Sequence, residues 1–219
     1  MGFACSPALR PPLVVLGGTF DPVHRTHIAL ALSARDALGA EVRLIPNADP
    51  PHRARPIADG SHRLAMLRLA VADQPGLSVD TRELERSGPS YMVDTLLSLR
   101  AEIGEQRSLC LLLGSDAFAG IARWHRWQRL VDVANLLIAI RPGADESLVM
   151  DTLRSCDWMQ RQRLLEDVAS NRSGVIVFLP MPTSEDSSTT LRAALASGSR
   201  EASMLPAVAA YIDQHRLYR

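Results

Sequence analysis

The sequence predicts an α/β fold: a doubly wound, mainly parallel sheet with helices on both faces and a helical segment at the C-terminal end. Three observations predict it. Four short apolar runs, 13–16 (LVVL), 109–113 (LCLLL), 135–140 (NLLIAI) and 174–179 (GVIVFL), lack the alternation of a one-sided strand and so suit strands covered on both faces. Stretches of helical periodicity separate them, and strand, helix, strand in that order builds right-handed parallel units. Three runs leave the sheet at small or turn-forming residues, Gly17-Gly18, Gly114-Ser115 and Arg141-Pro142-Gly143. Open α/β sheets bind ligands at such carboxyl ends.

Composition narrows the function. At 219 residues the chain has room for one full core, and a single domain over 1–219 is expected. Twenty-four basic residues face 24 acidic ones, so no net charge draws the chain to nucleic acid or a membrane surface. All 24 basic residues are arginine. Lysine-dependent chemistry, including a phosphate loop ending in Gly-Lys-Ser/Thr, is thereby excluded; any cation that grips phosphate must be arginine or histidine. Cys5, Cys110 and Cys156 are widely separated, which predicts neither a zinc site nor a disulfide framework but a reduced, cytoplasmic protein. No apolar stretch approaches the ~18 residues of a membrane span.

The richest stretch is 17–27, GGTFDPVHRTH. Gly17 and Gly18 remove two side chains where the backbone must bend, and Asp21-Pro22 stiffens the next turn. From Thr26 the spacing of Ile28, Ala31, Leu32, Arg35 and Leu38 is helical, which puts His24 and His27 at a helix start. Free amides there attract anions, and two imidazoles can add donors on the same side. Two histidines at a helix start could equally be surface residues. Residues 41–45 form the next expected strand, followed by a loop over 46–56 with four prolines; by pattern alone it is an exposed basic loop. Residues 61–73 predict an amphipathic helix with Leu64, Leu67, Ala70 and Val71 on one face and no chemistry. Residues 77–80 can form a strand, and 81–86 (TRELER) are expected to be a solvated charged surface.

Ser90 can cap a helix carrying Val93, Leu96, Leu97 and Arg100, exposing the amides of Tyr91 and Met92 as a second anion site. Asp116 could cap the helix after 109–113. Aromatic residues make up only 5% of the chain, so Trp124 and Trp127 close together are unusual, and Trp124 suits stacking on a flat ring. Residues 144–172 are charged, helix-like and without an assigned role. Ser188 and Arg192 share one face of a helix that opens with a hydroxyl-rich run, and 205–218 predicts a closing helix.

Over 13–143 and 174–219 these segments resemble the nucleotidylyltransferase superfamily, and within it the bacterial nicotinate mononucleotide adenylyltransferases. The resemblance implies a Rossmann-like sheet and a division of the site. Gly17, Gly18, Thr19 and Phe20 would cradle ATP; Gly114 and Asp116 would meet its adenosine part, Arg141 its adenine, and Ser188, Thr189 and Thr190 its outer phosphates. Asn47, His52 and Arg53 match the segment that holds the mononucleotide phosphate. Tyr91, Met92 and Thr95 stand where the family recognises the ring carboxylate, with Met92 in place of a threonine. Trp124 would cover the pyridine ring and the backbone of His125 would reach its substituent. Thr26 stands where the family signature has glycine.

The implied reaction is adenylyl transfer from ATP to nicotinate mononucleotide, giving deamido-NAD and pyrophosphate, with His24, His27 and Arg192 as the catalytic donors. Mg²⁺ would arrive on the substrate phosphates rather than in a protein site. Transfer to nicotinamide mononucleotide or to phosphopantetheine, and a nucleotide-binding module without turnover, are the alternatives. A zinc protein using His24, His27 and His52 lacks a carboxylate or thiolate at ligand spacing.

Overall fold

A computed structural model describes residues 10–48, 56–140, 146–180, 187–199 and 204–219. The elements run β1 (Leu13–Gly18), α1 (Arg25–Leu38), β2 (Glu41–Pro46), α2 (Gly60–Val71), β3 (Leu77–Val79), α3 (Arg82–Glu85), α4 (Met92–Ile103), β4 (Leu109–Gly114), α5 (Ser115–Ala119), α6 (Leu130–Val133), β5 (Asn135–Ile140), α7 (Glu146–Ser155), β6 (Ile176–Pro180), α8 (Ser188–Ala196) and α9 (Pro206–His215). The six strands pair in the order β3-β2-β1-β4-β5-β6. All five pairings are parallel. The order reverses between β1 and β4, so their carboxyl ends flank the crevice where sheets of this kind take ligands.

The expected coverage of both faces is present. Along β1, Val14 and Leu16 enter one core and Leu13 and Val15 the other, because successive side chains of a strand point to opposite faces. The first core takes Ile28 and Leu30 of α1, Met66 and Leu67 of α2, Leu191 of α8 and Val208 and Ile212 of α9. The second takes Val93, Leu96 and Leu99 of α4, Phe118 of α5, Leu130 of α6 and Val149 and Leu153 of α7. Polar pins hold the end of the sheet opposite the crevice: Asn135, fully buried, donates to Ser108 Oγ (3.0 Å) and the Asn171 carbonyl (2.7 Å) and accepts from the Val175 amide (3.1 Å). Arg100 donates to the carbonyls of Gly104, Arg107, Val133 and Arg172.

Three expectations are corrected. Residues 144–172 are more than a charged excursion: α7 closes the second face, Trp158 is buried beside Phe118, and Val168 enters the first core. The buried stripe of α2 is Arg63, Met66, Leu67 and Ala70; of the expected face Leu67 and Ala70 are buried and Val71 packs partly buried against the first core, while Leu64 gives way to Arg63 and Met66. Residues 81–86 are not a solvated run. Arg82 chelates Asp80 and reaches Glu102, Arg43 joins the same pair of carboxylates, and Glu83 is buried.

Candidate active site

The crevice at the β1 and β4 exits has two halves, a cavity of about 270 Å³ and a larger one of about 610 Å³. Both are walled by Gly17, Gly18, Gly114 and Asp116, so a group seated at the glycines touches both compartments. A Cβ at Gly114 would enter open space; its small size keeps the passage wide. Asp116 lies in the first turn of α5 and Gly114 occupies the cap position, so Asp116 is not the cap that pattern alone suggests.

The turn after β1 is built to stay put. Phe20 is held at φ 50°, in the left-handed region, a conformation costing a non-glycine residue about 1 kcal/mol. Its ring is buried and meets the His27 ring edge-on at 5.0 Å. The Asp21 carboxylate, itself buried, accepts from the amides of Ile57 (2.8 Å) and Ala58 (3.1 Å) and from the Tyr218 hydroxyl (2.6 Å). Burial, and then this hydrogen bond to a carboxylate, push the Tyr218 hydroxyl far above the usual phenol range, so it remains a donor at any physiological pH. Behind the turn the buried Arg63 guanidinium donates to the carbonyls of Thr19 (2.8 Å), Ala58 (3.2 Å) and Ala48 (3.4 Å). Sequence alone gives Asp21 only as part of the Asp21-Pro22 turn and singles out neither Arg63 nor Tyr218. Only Arg63 left a signal, since it lies on the same helical stripe as Met66, Leu67 and Ala70.

His24 takes the N-cap position of α1 with an extended backbone, and His27 lies in the first turn. Their rings are 3.8 Å apart. The His24 amide donates to His27 Nδ1 at 3.3 Å. A ring nitrogen that accepts carries no proton, so this bond assigns the His27 proton to Nε2. Both histidines and Thr26 wall the larger cavity. Thr26 is buried in the first turn of α1, within a cavity already roomy enough for a phosphate chain. Thr26→Gly is therefore expected to leave turnover unchanged and to lower stability by about 1 kcal/mol through lost burial and helix propensity. A faster enzyme, measured at saturating substrate, would show instead that the side chain obstructs.

α8 approaches the same turn. Ser188 Oγ donates to the Pro22 carbonyl (3.0 Å) and Arg192 to the Asp21 carbonyl (2.7 Å), so the shared face of these residues grips two successive carbonyls of the β1–α1 turn. A second guanidinium nitrogen of Arg192 reaches Thr189 Oγ1 at 3.3 Å. Ser187, Ser188, Thr189 and Arg192 wall the larger cavity together with Thr19 and Phe20. Thr190 does not join them. Its amide donates to the N-cap Ser187 Oγ and its hydroxyl closes the reciprocal box onto the Ser187 amide, because Ser187 rather than Ser188 is the cap. The first-turn amides left without a helical acceptor are those of Ser188 and Thr189.

The smaller half is aromatic. Tyr91, Met92, Trp124 and His125 wall it, with Asn47, Glu83, Ser90 and Arg123. The Tyr91 and His125 rings lie 4.2 Å apart, tilted by 30°. Asn47 is fixed by its amide, which donates to the Gly18 carbonyl (2.9 Å). A Cβ at Gly17 would overlap the Met92 methyl, so this glycine admits the thioether across the end of β1. Two expectations change here. Ser90 is not the cap of α4: Tyr91 holds that position, and Ser90 Oγ donates to the Glu83 carbonyl (3.3 Å). Thr95 is fully buried, donates to Glu83 Oε1 (2.7 Å) and is not part of the cavity wall. His52, Arg53 and Arg141 lie outside the described residues. Among the described residues no group of three His, Cys, Asp or Glu could hold a metal ion, and no helix is long and apolar enough to cross a membrane.

The comparisons agree with this geometry. The Cytidylyltransferase-like family model matches residues 15–194. A relative from Aeromonas hydrophila, named as a probable nicotinate-nucleotide adenylyltransferase, is 46% identical over 96% of this chain and 99% of its own length. One from Stenotrophomonas maltophilia with the same name is 43% identical over 94% and 96%. Among solved structures, Plasmodium falciparum nicotinic acid mononucleotide adenylyltransferase complexed with NaAD superposes with a TM-score of 0.72, covering 95% of this chain and 98% of that one. At 17% identity that likeness speaks for the fold alone. Matched along nearly its whole length at these identities, the chain belongs to the nicotinate-nucleotide adenylyltransferase family.

Proposed function

We propose that the chain joins ATP and nicotinate mononucleotide, the mononucleotide phosphate attacking the α-phosphorus of ATP in line to give deamido-NAD and release pyrophosphate. The observation that carries this reading is the divided crevice, aromatic on one side and lined by histidine, arginine and helix amides on the other, with the paired glycines between. The attacking phosphate oxygen is already an anion, so no general base is needed; the protein must supply proximity and donors for charge on the transferring group. His27 donates through Nε2 and His24 lies beside it. Arg192, with the Ser188 and Thr189 amides, suits the departing pyrophosphate. Mg²⁺ held by phosphate oxygens would neutralise part of that charge, and Asp116, the carboxylate on the wall common to both halves, fits it as a partner directly or through water.

Pyrophosphate release on mixing the protein with ATP, Mg²⁺ and each mononucleotide in turn tests the assignment; release with phosphopantetheine alone, or with no acceptor at all, would sink it. Stacking has its own test. Trp124→Ala is expected to raise KM for the mononucleotide by about tenfold, the value of roughly 1.5 kcal/mol for one aromatic contact, with KM for ATP little changed. Equal effects on both would remove Trp124 from the ring site.

A further inference from the structure

Glu83 is a buried carboxyl on the wall of the aromatic cavity. Its Oε1 accepts from the Thr95 hydroxyl (2.7 Å), which in turn accepts from Arg86 (3.2 Å). Its backbone carbonyl accepts from Ser90. Oε2 makes no hydrogen bond among the described residues. Oε2 is therefore the carboxyl oxygen left to meet a molecule seated in the cavity that Glu83 helps to wall. Met92, the residue that lies across Gly17, offers a thioether and no hydroxyl.

We propose that Glu83 determines specificity in this half of the crevice, given that it takes the mononucleotide as read above: Oε2, carrying a proton, donates a hydrogen bond to the ring carboxylate of nicotinate mononucleotide. Two carboxylates at hydrogen-bond distance cannot both be ionised, so one proton is shared between them. It comes from solvent as the mononucleotide binds. Burial, the largest influence, already raises the Glu83 carboxyl above the ordinary glutamate range, as does Asp80; the Thr95 hydrogen bond and the Arg86 and Arg82 charges act the other way. The cavity also carries Asp116, Arg123, Tyr91 and His125; the fixed charge of the Arg123 guanidinium favours a ring carboxylate over an amide with no proton taken up, so the proton count is what separates its effect from that of Glu83. A ring amide would instead meet ionised Glu83 as an acceptor and require no proton. Acid over amide thus becomes a proton-linked choice.

Calorimetric titration of the wild-type chain in two buffers of different ionisation enthalpy, at about pH 7.5, counts the protons. Nicotinate mononucleotide is expected to take up as much as one proton more than nicotinamide mononucleotide; the 5′-phosphate is common to both, so its own titration cancels. Above neutrality KM for the acid should rise by about tenfold per pH unit where a full proton is required. Glu83→Gln keeps the Thr95 partner and a donor without titrating; it should bind the acid with the difference in proton count abolished and the pH profile flattened. Equal proton counts for the two mononucleotides in the wild type, which needs no variant to fold, would overturn the proposal, as would an undiminished difference in Glu83→Gln. Failure of both mononucleotides to bind, or to support pyrophosphate release, would overturn the reading of the crevice itself.

Discussion

His27→Ala is expected to lower kcat about a hundredfold, the roughly 3 kcal/mol that one preorganised donor supplies to a charged transition state. The expectation follows from the assigned tautomer. Nδ1 accepts from the His24 amide, which puts the proton on Nε2, the atom expected under the proposed reaction to donate to the transferring phosphoryl group. The alanine variant should fold normally, since His27 is only partly buried in the first turn of α1. Pyrophosphate release at saturating ATP and mononucleotide reads the loss directly. Near-normal turnover would take His27 out of the reaction and leave the phosphates to His24 and Arg192.

The second large effect belongs to Asp21. Replacing it by alanine leaves the amides of Ile57 and Ala58 and the hydroxyl of Tyr218 facing an apolar space. The cost of stranding buried donors points to about 3 kcal/mol, or roughly 9 °C in Tm for a chain of this size. Tyr218→Phe removes one donor and keeps the carboxylate with its two amides, so it should cost nearer 1 kcal/mol. Thermal unfolding of the two variants compares them. Asp21→Ala melting with the wild type would mean that the turn is held by Arg63 and Arg192 alone. Catalysis should fall with the larger loss, because the carbonyl of Asp21 also anchors Arg192 at 2.7 Å.

Much of the site was legible because its parts are local. Glycines at a strand exit, histidines at a helix start and a hydroxyl-rich helix opening each act through backbone geometry within a few residues, and each lies at the crevice. The residues missed act at long range. Tyr218 meets a carboxylate nearly two hundred positions earlier in the chain, and Arg63 answers carbonyls from two separate loops, those after β1 and after β2. Glu83 was hidden for another reason: TRELER has the composition of a surface, and only the packing of α3 against α4 buries one of its four charged side chains while Arg82 and Asp80 pair outside. Ser188 and Thr190 show the same limit at finer scale, for a run of hydroxyls does not reveal which one caps.

By itself the sequence determined the alternation of buried strands and amphipathic helices, the absence of any lysine chemistry and the segments that line the ligand-binding edge of the sheet. These follow from periodicity, composition and turn stereochemistry, all of which are written in neighbouring residues. Tertiary structure alone decided which side chains face the crevice and which brace it from behind. Pairing β1 with both β2 and β4 opens the gap at the glycines, and folding α8 and Tyr218 back onto one turn sets the donors around it. Those contacts depend on where distant segments meet, and a buried polar group finds its partner only after the core has formed around it.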